Sequence, residues 1–167
     1  MIARSMNTSS GTHTRLGERR NGGSPTARGL VLLVEDEPDI QSLVADHLIS
    51  AGFEVCLASD GEVALQMIRE RRPALVCLDL NLPRISGYEV CEQIRADPEL
   101  EGISILITSA RNSLDVRVFS LEAGADAYII KPYALNELTG EIDRLFTVRA
   151  QSIAEAEGSS DGQVRSA

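Results

Sequence analysis

The sequence predicts an α/β protein made of five consecutive strand–helix units, a (βα)5 chain. Three observations carry this reading. Five short apolar runs recur through about 120 residues, each is followed by residues of helical apolar spacing, and the connections between them are short. Several of the runs are apolar throughout rather than alternating. That is the pattern of strands covered on both faces, hence of a parallel sheet between two helical layers joined by right-handed crossovers.

The first run is "LVLLVE" (30–35). After it, Ile40, Leu43, Val44 and Leu48 form a helical stripe, and Pro38 suits a first-turn position. The second run, "FEVCLA" (53–58), precedes Val63, Ala64, Met67 and Ile68. The third, "ALVCLD" (74–79), precedes Val90, Cys91 and Ile94, where Ser86 and Glu89 have the spacing of a capping box. The fourth, "ISILITS" (103–109), precedes the stripe Leu114, Val118 and Leu121. The fifth, "AYIIK" (127–131), precedes Leu135, Leu138, Ile142, Leu145 and Phe146. Gly52 and Gly124 stand where left-handed C-caps are expected. Gly140 falls inside the last stripe, at a cost of up to ~1 kcal/mol against alanine, and nothing in the sequence accounts for it.

A chain of 167 residues suits one domain of ordinary size. Residues 1–28 lack periodicity, carry five Arg among Ser, Thr and Gly, and read as a disordered N-terminal extension. Residues 149–167 are small and polar and read as a flexible C-terminal tail, which leaves 29–148 as the folded domain. The net charge of −9 argues against a dedicated nucleic-acid binder. Cys56, Cys77 and Cys91 are odd in number and show no metal-ligand spacing, so they read as buried reduced thiols. No apolar stretch reaches the ~18 residues of a membrane span and no secretory h-region is present, so a cytoplasmic location is expected.

In folds of this class functional groups gather at the carboxyl ends of the strands. Strand 1 ends in Glu35, Asp36 and Glu37, strand 3 in Asp79, strand 4 in Thr108 to Arg111, and strand 5 in Lys131 and Pro132. Lys131 is the only lysine; the other fifteen cations are all Arg. Clustered carboxylates need a cation between them. Hard oxygen ligands suit Mg2+, lysine is a point charge suited to phosphate, and a hydroxyl can donate to a phosphoryl oxygen. Such a set can receive a phosphoryl group on a carboxylate, with Asp79 the candidate nucleophile and Asp36 and Glu35 the metal holders.

The residues now assembled resemble the receiver domain of two-component response regulators. The acidic pair Glu35-Asp36, "DLNLPRISG" from Asp79, "SAR" from Ser109 and "GADAYIIKP" from Gly124 match in order and spacing, over about residues 29–148. The resemblance implies a flavodoxin-like three-layer sandwich with strand order 2-1-3-4-5. It implies that Asp79 is the phosphoacceptor, that Glu35, Asp36, Asp79 and the backbone carbonyl of Asn81 hold Mg2+, and that Lys131 pairs with the phosphoryl group. It further implies a cis Lys131–Pro132 bond and a switch in which a hydroxyl moves and Tyr128 follows. The hydroxyl is Ser109 or Thr108; the hydroxyl-Ala-basic pattern favours Ser109. Tyr133 departs from the family pattern, where Phe is commoner.

Plainer readings stand beside these. Glu37 and Asp39 read as first-turn acids favoured by the helix dipole, Ser86 as a cap rather than a phosphosite, and Asn81 with Pro83 as turn chemistry. Tyr128 also fits a half-buried strand aromatic.

The resemblance implies a switch that accepts a phosphoryl group from a histidine kinase or phosphotransfer protein. It would do no enzymatic work beyond Mg2+-dependent self-phosphorylation and autodephosphorylation. About twenty residues follow the last helical stripe, too few for an effector domain. The output expected is therefore protein contact through the face of helix 4, strand 5 and helix 5, without direct nucleic-acid or membrane binding; homodimerisation is left open. The alternatives are a constitutive interaction domain never phosphorylated, or a fragment of a larger multidomain regulator. A haloacid-dehalogenase-type phosphatase would need an Asp where Asn81 stands.

Overall fold

The computed structural model of the protein describes residues 28–110 and 114–160. The elements follow strict alternation: β1 (Leu30–Val34), α1 (Pro38–Ser50), β2 (Glu54–Ala58), α2 (Gly61–Arg71), β3 (Leu75–Asp79), α3 (Gly87–Ala96), β4 (Ser104–Ser109), α4 (Leu114–Glu122), β5 (Ala127–Ile130) and α5 (Leu135–Ser160). All four strand pairings are parallel and the sheet order is β2-β1-β3-β4-β5, as expected.

The uninterrupted apolar runs have a direct cause. Successive side chains point to opposite faces of a strand, and both faces of the inner strands are buried. Leu32, Val34, Val76, Leu78, Ile105 and Ile107 pack with Ala64, Ile68, Val90 and Ile94 of α2 and α3. Val31, Leu33, Leu75, Cys77 and Leu106 pack with Val44, Leu48, Leu138 and Ile142 of α1 and α5. Strand β3, with a helical layer on each side, is buried along its whole length.

Local signals place the helix ends. Ser86 and Glu89 form the reciprocal capping box of α3. Gly52 and Gly124, with φ of 93° and 97°, follow α1 and α4 in the left-handed conformation.

Two expectations are corrected. Of the stripe expected to pack inward on α4, Val118 and Leu121 point outward, 43% and 47% exposed; the Leu114 side chain lies outside the described residues. The helix meets the core instead through Val116, Ser120 and Ala123, which keep the i, i+4, i+7 spacing of a single face. Two of the three are small, so the helix can lie close to the sheet, and Ser120 satisfies its hydroxyl on the Val116 carbonyl at 2.7 Å. The tail expected from 149 is, through Ser160, a continuation of α5. Its Ala, Glu and Gln residues are good helix formers despite their polarity, and the Arg149 side chain ties this turn to the Ala74 carbonyl at 2.5 Å. Residues 161–167 and 1–27, where the rest of the tail and the N-terminal extension were expected, lie outside the described residues.

The glycines Gly87 and Gly140 differ in what surrounds them. A Cβ on Gly87 would lie 2.3 Å from the backbone oxygen of Asp79 and 2.9 Å from Leu80 Cα, so α3 can start against the end of β3 only without a side chain. A Cβ on Gly140 would meet nothing within 4 Å. In chemical denaturation, Gly140→Ala is expected to raise stability by about 1 kcal/mol through helix propensity. Gly87→Ala is expected to lower it by roughly 1–3 kcal/mol through overpacking against backbone that cannot give.

Candidate functional site

Parallel strands bring their carboxyl ends to one edge of the sheet, and the sequence puts reactive groups at four of them. Lys131, just after β5, directs its Nζ at Glu35 Oε2 (2.6 Å) and Asp79 Oδ2 (2.5 Å). Glu35 and Asp79 are both buried, while Asp36 beside them is exposed. Among the described residues, Glu35, Asp36 and Asp79 each offer a carboxylate oxygen within 4.8 Å of the others. The expected convergence of these acids with Lys131 is present.

Supporting contacts fix the acids. Asp79 Oδ1 accepts from the backbone N–H of Asn81 at 2.9 Å, and Glu35 Oε1 from that of Glu37 at 3.4 Å. The Gln41 side-chain amide donates to the carbonyls of Glu35 and Ala58, both at 2.9 Å, and so pins the ends of β1 and β2 together. No sequence signal marked Gln41, because its role exists only once two strand ends are adjacent.

Burial pushes the Glu35 carboxyl above its usual range, against the opposing pull of its bond to Lys131. Burial also works against the charge of Lys131, but its hydrogen bonds to Asp79 and Glu35 outweigh that and raise its pKa. Three carboxylates face one ammonium, so with all four groups ionised the cluster holds an excess of negative charge. Hard oxygen donors with charge to spare fit a hard divalent cation such as Mg2+.

The loop from β3 to α3 lies beside these groups and is held from three directions. Gly87 N–H bonds the Leu80 carbonyl at 3.2 Å, and Ile85 N–H bonds the Pro83 carbonyl at 2.9 Å. Gly61, the first residue of α2, sits so close that a Cβ would lie 2.4 Å from the Ile85 carbonyl oxygen. Buried Asp60 caps α2 by accepting from Val63 N–H at 2.9 Å and also pairs with Arg84. The Val63 N–H, overcoming burial, and then the Arg84 charge hold the Asp60 carboxyl below its usual range. Sequence reading passed over both residues. An Asp directly before a helical stretch is a cap signal, whereas Arg84 stands at a left-handed position (φ 67°) that no arginine advertises.

The strand-4 hydroxyls are both buried. Thr108 is the register partner of Asp79, and Ser109 that of Ile130. The Ser109 carbonyl accepts from the Lys131 N–H at 2.8 Å. By strand alternation Ser109 continues the face of Ile105 and Ile107, and Tyr128 packs against that same face. The Lys131–Pro132 bond is cis. Arg111 lies outside the described residues.

A family model described as the response regulator receiver domain matches residues 31–143. The transcriptional regulatory protein PrrA of Mycobacterium tuberculosis is 38% identical over 122 residues, which cover 73% of this chain and 52% of that protein. The DNA-binding response regulator MtrA of Mycolicibacterium smegmatis is 38% identical over 117 residues, 70% of this chain and 50% of that protein. The chain thus spans about half the length of these curated relatives. Among solved structures, a CheY-like response regulator receiver domain protein from Methanospirillum hungatei is 29% identical. It superposes with a TM-score of 0.70 over 74% of this chain and 97% of its own.

Removing the ammonium leaves Glu35 and Asp79 buried and facing each other without their cation. Lys131→Ala is therefore expected to destabilise the metal-free protein by roughly 3 kcal/mol, the lower end for breaking a buried ion pair. Thermal melts with and without Mg2+ check this: the cation should recover a larger share of stability in the variant than in the wild type.

Proposed function

Because this chain belongs to the response regulator receiver domain family, we propose that it is a phosphorylation-activated signalling switch whose phosphoacceptor is Asp79. The observation that carries this is the Asp79 carboxylate at the end of β3, held between the Lys131 ammonium and the Asn81 N–H inside an acidic cluster. Receiver domains of this kind are switches rather than enzymes that turn over a substrate.

In the proposed reaction the donor is a phosphohistidine of a histidine kinase or phosphotransfer protein. An Asp79 oxygen attacks phosphorus, an O–P bond forms, the P–N bond breaks, and the imidazole nitrogen leaves with the bonding pair. Small phosphodonors would serve the same chemistry. Lys131, already 2.5 Å from Asp79 Oδ2, pairs with the incoming phosphoryl oxygens. Mg2+, held by Glu35, Asp36, Asp79 and the backbone carbonyl of Asn81, would supply charge neutralisation for those oxygens. A donor protein has a surface to use. An apolar groove of about 340 Å3, lined by Ile40, Leu43, Val44, Tyr133 and Leu135 among others, opens beside Lys131.

The switch proposed is a population shift. The Ser109 hydroxyl, rather than Thr108, follows the phosphoryl group, and Tyr128 follows Ser109; their shared face of the sheet supports this pairing. The output surface is the face of α4, β5 and α5. There Val118, Leu121, Ile130 and the 61%-exposed Phe119 form apolar surface suited to a protein partner. DNA binding is stated of MtrA, a protein about twice as long as the matched segment, and is not proposed for the residues described. Among those residues no helix is long and apolar enough to cross a membrane.

The test is intact-mass spectrometry after incubation with acetyl phosphate. A single phosphoryl adduct is expected on the wild type with Mg2+. None is expected on Asp79→Asn, nor on the wild type with EDTA. An adduct that survives Asp79→Asn would move the acceptor elsewhere, and one formed in EDTA would remove the metal from the reaction.

A further inference from the structure

The β3–α3 loop carries Asn81 next to Asp79, yet part of its anchorage comes from a helix that contributes nothing else to the site. Asp60, the N-cap of α2, has a side chain only 2% exposed and directs Oδ2 at Arg84 Nη2. Arg84 Nη1 also lies 3.4 Å from Glu62 Oε2, on the first turn of the same helix. Arg84 holds a φ of 67°, a conformation that glycine adopts freely and β-carbon residues rarely do. An arginine is therefore a disfavoured choice for the backbone at this position, and its side chain must supply the compensation. Gly61, against the Ile85 carbonyl, lets α2 come close enough for the pair to form.

We propose that the Asp60–Arg84 ion pair is a latch that clamps the β3–α3 loop to α2 and so presents the Asn81 carbonyl and the Asp79 carboxylate together. Asp60 and Arg84 are then positioning residues for metal binding and phosphoryl acceptance. The proposal rests on the reading of Asp79 and Asn81 given above. The physical basis is preorganisation. A loop already fixed loses little conformational freedom when a cation is bound, whereas a loop freed from α2 must be ordered at that moment.

The signs of two substitutions separate this latch from a through-space charge effect. Arg84→Gly removes a cation near an acidic site while keeping a residue suited to the left-handed backbone. Acting through charge alone, it would tighten Mg2+ binding. Asp60→Asn removes an anion and keeps an N-cap acceptor. Acting through charge alone, it would weaken Mg2+ binding. A latch requires both to weaken it, and requires the double variant to be no worse than the weaker single, because either change opens the same clamp.

The experiment is calorimetric Mg2+ titration of the full chain as wild type, Arg84→Gly, Asp60→Asn, the double variant and Arg72→Gly. Arg72 is a matched control. It too is left-handed (φ 45°) and paired, with Glu99 at 2.5 Å, but it stands at the C-terminus of α2. Each single change in the latch is expected to weaken Mg2+ binding by roughly tenfold, the lower end of what outer-shell supports contribute, while Arg72→Gly leaves it unchanged. Opposite signs for the two single changes overturn the latch, as do additive losses, affinities equal to wild type, or an equal loss in Arg72→Gly. Should Asp60→Asn fail to fold, Arg84→Lys decides in its place: restored affinity supports the latch, and a loss as large as in Arg84→Gly overturns it. Acetyl phosphate added to the same wild-type sample keeps the two readings apart. Mg2+ binding without an adduct would fail the phosphoacceptor reading, while the titrations still decide the latch.

Discussion

One ammonium group between two buried carboxylates organises the carboxyl edge of this sheet. Lys131 follows β5, the outermost strand, and reaches past the end of β4 to Asp79 on β3 and Glu35 after β1. The edge strand β5 is thereby tied to the adjacent pair β1 and β3, neither of which it touches in the sheet. The tie is largely buried and it is outnumbered, with three carboxyl groups sharing one lysine. An arrangement of this kind keeps a site ready for further positive charge while holding its acids in place without it. A guanidinium would offer a wider, planar fork where the space between two carboxylates suits a compact point charge.

Around that point the chain uses missing side chains as much as present ones. Gly87 lets α3 begin against the Asp79 carbonyl, and Gly61 lets α2 approach the Ile85 carbonyl from the other side. The loop between them has little room to move, and Arg84 spans it to Asp60. Precision at Asp79 is thus a packing property of the strand end, the loop and two helix starts taken together.

Helix α4 answers to a different demand. Its inward face is small and includes a fully buried serine, while Val118, Phe119 and Leu121 face outward. A helix seated on small residues can shift against the sheet with less repacking than one anchored by Leu or Ile. This is compatible with the switch proposed above, in which Tyr128, packed on the same core, changes place.

The architecture was legible in the sequence because it rests on local, periodic signals. Five apolar runs and the helices that follow them, the Ser86–Glu89 box and the left-handed Gly52 and Gly124 all appear where expected. The acid cluster was legible as well, since a parallel sheet places strand ends together and the reactive residues of this chain stand at those ends. Two readings failed where pattern alone misleads. Val118 and Leu121 of the α4 stripe face out, because which of two faces a short helix buries depends on how closely the sheet lets it approach. The polar tail is helical through Ser160 because propensity and the Arg149–Ala74 contact outweigh its composition. The Gln41–Ala58 bond and the Asp60–Arg84 pair belong to tertiary structure alone. Each joins a residue to a partner at least 17 residues away. Such a partner becomes a neighbour only after the sheet and the helix packing have brought the two segments together.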